Sequence, residues 1–199
     1  GTKRIATFST RKAGTVGCAI DSTTGDLAIS GETNAVEVFA HAKGKPTVIR
    51  GPAMFFGEFC TYDDKGNLFF LGLKSPGGPP HLSELPKGSR KFVTITLDAS
   101  VDPESGIQWE NGELTTVAHV QHVRTHEKAE IFHFALKGTE ATKVGATPMN
   151  AAYTVLQYFI LNRKLIAPNL SKSDKKQSAV LFYKYAAGGA PTMQIQMQS

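Results

Sequence analysis

Three features of the sequence predict an all-β chain built from one repeated antiparallel unit. First, a small residue and a glycine, usually with a lysine between, separate two short apolar runs four times, at Ala42-Lys43-Gly44, Pro86-Lys87-Gly88, Leu136-Lys137-Gly138 and Ala187-Gly188-Gly189. The glycine recurs at 44, 88, 138 and 188, a period of 44 to 50 residues, which is the mark of a copied supersecondary unit. Second, tight hairpin chemistry (Gly25, Gly66, Gly112 and Asn162-Arg163) stands upstream of each of these turns, because Gly and Asn accept the positive φ that such turns demand. Third, nineteen glycines and ten prolines punctuate a 199-residue chain that is 41% hydrophobic, and no stretch sustains helical periodicity over three turns.

The elements follow in order. Innermost strands, a, are read at Val16 to Ile20, Phe55 to Tyr62, Gly106 to Trp109 and Tyr153 to Ile160. Strands b follow the hairpin turns, at Asp26 to Ile29, Asn67 to Phe70, Glu113 to Thr116 and Lys164 to Ala167. Strands c precede the lysine–glycine turns. Strands d follow them, at Pro46 to Ile49, Phe92 to Leu97, Ala141 to Val144 and Pro191 to Met197. Four-stranded units at this period, rich in Val, Ile, Thr, Phe and Tyr, predict a β-propeller. The prediction is one domain over 1–199, with blades at about 14–52, 53–103, 104–150 and 151–199. Residues 2–8 match the d strands and add one extra outer strand with no blade of its own. Such a chain leaves blade faces and strand edges uncovered, so either further blades of a six-bladed parent or a second copy is expected to complete the ring.

Several segments resemble a known family. They are Val16-Gly17-Cys18-Ala19-Ile20-Asp21 with Thr24-Gly25-Asp26-Leu27-Ala28, then Tyr62-Asp63-Asp64-Lys65-Gly66-Asn67-Leu68-Phe69, Glu84-Leu85-Pro86-Lys87-Gly88-Ser89 and Tyr185-Ala186-Ala187-Gly188-Gly189-Ala190-Pro191-Thr192. The chain is similar over residues 1 to about 197 to secreted NHL/SMP-30-like propellers of acidobacterial and related soil bacteria. The resemblance implies the propeller fold, a secreted, periplasmic or cell-surface location, and further blades preceding the strand at 2–8. It implies no particular activity. The chain departs from the family pattern in its third blade, where a histidine-rich insertion replaces a short loop.

Cys18 and Cys60 occupy the same place in consecutive a strands, each three residues before an aspartate. That equivalence, with the exported character of the family, favours a bridge between them, provided their Cα atoms come within ~7 Å. The alternative is two buried free thiols acting as small hydrophobes. Asp21, Asp63 and Asp64 read as turn residues that cap the a–b hairpins.

His119, His122 and His126, with His133 further on, form the only metal-like constellation. Imidazoles three and four apart would share a face of a helix, but in an extended strand positions three apart point oppositely. Arg124, Glu127, Lys128 and Glu130 mark the segment as a solvated loop, so a zinc or copper site is the lesser reading. No cofactor is expected. Catalysis at the central channel, as in metal-dependent lyases or lactonases, would need several oxygen ligands, and the inward-facing residues Thr15, Glu58, Thr61, Ser105, Gln108, Thr154 and Gln157 include one carboxylate.

The net charge of +5 is spread over turns, without a basic aromatic groove for nucleic acid. No apolar run approaches the ~20 residues of a membrane-spanning helix. The d–a and b–c connections are long and share one rim, where binding sites concentrate. The expected function is therefore recognition of a protein, glycan or small ligand through that rim, with Arg50, Phe55, Phe56, Glu58, Gln108 and Gln157 as contacts. A metal-dependent lyase or lactonase-like enzyme is the alternative.

Overall fold

The computed structural model describes residues 7–10, 15–51, 54–120, 128–150, 152, 155–169 and 178–196. Its regular elements there are strands, with a single 3-10 turn at Ala40–Ala42. The chain divides into two compact units, 1–94 and 95–199.

In the first unit, β1 (Thr15–Ile20), β2 (Leu27–Thr33), β3 (Ala35–Phe39) and β4 (Thr47–Arg50) pair antiparallel in sequence order. A second meander follows in β5 (Phe56–Tyr62), β6 (Leu68–Leu73) and β7 (Pro80–Leu85), with β8 (Val93–Leu97) next in order. The unit boundary falls inside β8. In the second unit, β9 (Ile107–Glu110), β10 (Glu113–Val120), β11 (Lys128–Lys137) and β12 (Glu140–Met149) form one meander. β13 (Phe159–Leu161), β14 (Lys164–Asn169), β15 (Ala179–Lys184) and β16 (Met193–Gln196) form the last. This is the four-stranded blade repeat that the glycine period predicts.

The turns explain why the period is visible. Gly44, Gly88, Gly138 and Gly188 all have positive φ, from 61° to 76°. The fourth a–b hairpin, which lacks a glycine, is turned by Asn162 and Arg163, both at positive φ (50° and 61°). Asparagine tolerates the left-handed region through local hydrogen bonding, which lets this hairpin close without glycine.

The core of the first unit lies between its two meanders. Ala28 and Val36 from one meander meet Cys60, Leu68, Phe70 and Leu85 from the other. β2 and β5 touch in parallel where Gly31 and Thr33 face Gly57, and Ser30 Oγ donates to the Glu58 carbonyl at 2.6 Å. A Cβ on Gly57 would overlap the Phe70 ring, so only glycine lets the ring sit there. In the second unit Val117, Ala129, Ile131 and Met149 of the third sheet pack on Leu165, Ala167, Leu181 and Tyr183 of the fourth. Face-to-face stacking of twisted sheets buries one alternating row from each.

Two expectations change, and a third falls mostly outside the described residues. The expected loop from 120 to 130 is shorter among the described residues, because β10 runs to Val120 and β11 starts at Lys128, pairing His119 with Ala129. β8 is not purely an antiparallel outer strand: Thr96 and Leu97 pair in parallel with Glu140 and Ala141, and Lys143 N donates to Asp98 Oδ1 at 2.8 Å. Of the outer strand expected at 2–8, residues 1–6 lie outside the described residues, while Thr7 and Phe8 are not in a strand. The Phe8 ring packs edge-on against Phe39, 5.2 Å between centroids.

Gly57→Ala should destabilise the protein by about 1–3 kcal/mol through overpacking against Phe70. Phe70→Leu in the same background should recover part of that loss, as a urea-unfolding double-mutant cycle would report.

Candidate functional site

Equivalent aspartates close the first two a–b hairpins. Asp21 Oδ1 accepts from Thr23 N and Thr23 Oγ1, each at 2.8 Å, and its Oδ2 accepts from Thr24 Oγ1 at 2.8 Å. Asp63 Oδ1 accepts from Lys65 N (2.9 Å) and Asn67 N (2.8 Å), and its Oδ2 from Asn67 Nδ2 (2.8 Å). Both carboxylates are buried. Burial works against the charge at Asp21, but the bonds from Thr23 and Thr24, with the Lys87 ammonium nearby, hold its carboxyl below the ordinary value. Lys87 Nζ donates to Thr23 Oγ1 at 2.7 Å, tying the β7–β8 turn to the β1–β2 turn.

These turns surround a pocket of about 330 Å³ in the first unit. Its apolar lining comes from Val38, Ile49, Leu68 and Leu85, together with the Tyr62 ring, and Asp21, Thr24, Asp26, Lys87 and Ser89 supply its polar groups. Asp26 Oδ1 accepts from His41 N at 2.8 Å, and the His41 ring donates from Nδ1 to the Thr24 carbonyl at 2.7 Å. Burial, with the nearby negative charges of Asp26 and Asp21, raises the Tyr62 phenol, so it stays neutral and is available as a hydrogen-bond donor. The pocket stands among the short a–b and c–d turns, not on the long-loop rim. The sequence reading missed it. The signal available was the repeated aspartate three residues after each cysteine, together with the lysine of the Pro86-Lys87-Gly88 turn.

The predicted rim residues divide between the two units. In the first, Arg50 ends β4 and is exposed, Phe55 is 52% exposed, Phe56 opens β5 opposite Leu73, and Glu58 is half-buried. In the second, Gln157 is exposed, whereas Gln108 is committed to structure. Its Oε1 accepts from Ile160 N at 2.9 Å and its Nε2 donates to the Ile160 carbonyl at 3.1 Å. The amide thus imitates a backbone strand pairing between β9 and β13, and a ligand could reach it only by breaking that pairing.

Of the histidine set, His122 and His126 lie outside the described residues, and His119 stands in β10. Among the described residues no group of three or more His, Cys, Asp or Glu is placed to hold a metal ion. His133 is buried and stacked on Tyr185, 5.4 Å between centroids. Its Nδ1 lies 3.2 Å from Glu113 Oε2. Its Nε2 lies 2.9 Å from Thr147 Oγ1, which donates to the Ala186 carbonyl at 3.0 Å. Carboxylate, imidazole and hydroxyl thus stand in the order of a nucleophilic relay. The hydroxyl, however, is fully buried with its proton bound to Ala186, and the cluster braces β10, β11 and β12.

The two cysteines are free thiols, and the expected bridge is not formed. The reason is the repeat itself. Cys60, opposite Phe70, faces the core between the first two sheets. Cys18, opposite Ile29, alternates with Ala19, which packs against that core, so Cys18 points from the other face of its sheet and is exposed. Equivalent positions in stacked blades look the same way and cannot face each other. Burial pushes the Cys60 thiol up to about 12, which the Ser30 hydrogen bond only partly offsets.

Two tests follow from this chemistry. A thiol reagent should label one cysteine, Cys18, in the native protein and two after unreduced unfolding, as read by mass. Asp21→Asn should destabilise the native state at neutral pH by about 1–3 kcal/mol, the range for charge-assisted hydrogen bonds. Because the folded carboxyl titrates below its unfolded value of 3.8, its stabilisation is complete above that pH and disappears as pH falls through the lower folded value. The difference in melting temperature between variant and parent should therefore shrink below pH 3.8.

No family description and no curated protein matches this chain. Solved structures do. A nidogen/laminin complex matches at a TM-score of 0.50 and 11% identity, over 92% of this chain and 80% of that one. A gluconolactonase from Xanthomonas campestris matches at a TM-score of 0.59 and 13% identity, over 87% of this chain. The matched part spans 60% of the gluconolactonase's length. At these identities the likeness shows the fold: the chain is an all-β protein of the propeller type.

Proposed function

We propose that the protein is a binding propeller that takes a small hydroxylated ligand, such as a glycan unit, in the pocket of the first unit. The observation that supports this is the pocket's pairing of an apolar lining with polar turns. The aliphatic groups and the Tyr62 ring suit the C–H face of a sugar ring, and Asp26, Thr24 and Lys87 suit its hydroxyls. Asp21, whose oxygens already hold the turn, shapes the pocket and serves no acid–base role in this reading. The family resemblance supports a location outside the cytoplasm. Among the described residues no helix is long and apolar enough to cross a membrane.

The alternative, a metal-dependent lyase or lactonase working at the channel, draws support from the gluconolactonase neighbour alone, and only through the fold. Binding to a protein partner has the same standing beside the nidogen/laminin neighbour. A glycan array followed by calorimetry separates these readings. Asp26→Asn or Tyr62→Leu should weaken binding of a selected glycan about tenfold, equivalent to about 1.4 kcal/mol. Binding that survives both substitutions removes the pocket from the mechanism. Bound metal together with lactone hydrolysis would establish the alternative.

A further inference from the structure

Two polar atoms in the first unit are sealed inside the protein without a hydrogen-bond partner among the described residues. They are His81 Nε2 and Ser83 Oγ. Ser83 is fully buried and His81 is half-buried. Both stand on β7, two residues apart, so they share one face of the strand. The register identifies that face. Ser83 lies opposite Phe70 and Leu85 opposite Leu68, and these three neighbours belong to the core between the first two meanders. His81 lies opposite Gly72, which in turn lies opposite Gly57, so two neighbouring positions in its row carry no side chain. A buried donor or acceptor left unpaired costs more than an ordinary hydrogen bond contributes. Two such atoms on one face therefore point to an occupant.

We propose that His81 Nε2 and Ser83 Oγ hold a single buried water molecule between them. The spacing fits. Residues two apart in a strand are separated by about 6.8 Å, and a water bonded to both atoms spans up to about 5.6 Å, the sum of two hydrogen bonds of about 2.8 Å. Size and charge select water over other occupants. Both atoms are closed to solvent, so neither a larger ligand nor a further stretch of polypeptide reaches them from outside. The core on this face is built from apolar side chains such as Met54, Leu68, Phe70 and Leu85, where an ion would lie uncompensated. Burial, with the Lys74 ammonium nearby, holds the His81 imidazole below its ordinary pKa, so the ring is neutral. A neutral ring offers either an N–H or a lone pair at Nε2, and a water serves both, as it does toward a hydroxyl. The site lies at the start of β7, directly after the 74–79 connection, so the water pins the point where that long loop enters the core. The proposal stands independently of the pocket.

High-resolution X-ray density should show one ordered water within about 3.2 Å of both atoms. Thermal unfolding supplies the test in solution, because the sign of the effect separates an occupied site from an orphaned hydroxyl. Ser83→Ala should lower the melting temperature by about 2–4 °C, since it removes one anchor of the water. His81→Phe should lower it as well. The double variant should fall no further than the worse single variant, because one water cannot be lost twice. If the Phe variant folds poorly, His81→Gln, which keeps a polar group on that face, should retain more stability than His81→Leu. A rise in melting temperature on Ser83→Ala would show a hydroxyl buried without any partner. That rise, additive losses in the double variant, or density in which the imidazole bonds Ser83 directly would overturn the proposal.

Discussion

Packing of one four-stranded sheet on another is the constraint from which the other features follow. A meander of four short strands cannot bury enough apolar surface alone, so its stability comes from the face that it shares. In the first unit that face requires the Phe70 ring to lie directly over Gly57, and backbone and ring meet where any Cβ would intrude. In the second, buried side chains from Val117 to Tyr183 fill the shared face. The Gln108 amide adds a side-chain substitute for strand pairing.

The same constraint explains the polar chemistry. Hairpin ends that come together at the edge of a shared face carry their turn residues with them, and the carboxylates of Asp21 and Asp63 become buried. A buried charge persists only when hydrogen bonds compensate it, and here the turns' own N–H and O–H groups do so. These carboxylates are structural for that reason, and beside Asp21 the turns enclose a pocket that sets aliphatic and aromatic groups against Thr24, Asp26 and Lys87. His133 illustrates the same economy of contacts. Both ring nitrogens face oxygen atoms of neighbouring strands, and the ring is stacked on Tyr185.

Much of this was legible in the residues. The recurrence of glycine at 44, 88, 138 and 188 predicted turns that need positive φ, and each has it. Asn162-Arg163 was legible as the glycine-free hairpin, and Asp21 as a turn residue, because turn chemistry is local and depends on neighbours within four positions. The site was much less so. Gln108 read as a channel-facing amide, but its partner, Ile160, lies 52 residues away. Cys18 and Cys60 read as a pair because their places in the repeat match. Matching places mean matching directions, and so one thiol faced the core and the other did not.

The sequence by itself determined the succession of strands within each meander, the turn conformations and the all-β class, since each depends on alternation and on the backbone preferences of a few adjacent residues. Only the tertiary structure decided which sheet face is covered, which polar groups are already committed, and where an apolar pocket opens. Those outcomes depend on contacts between strands far apart in the chain, where a single register step reverses which residues meet and which remain in water.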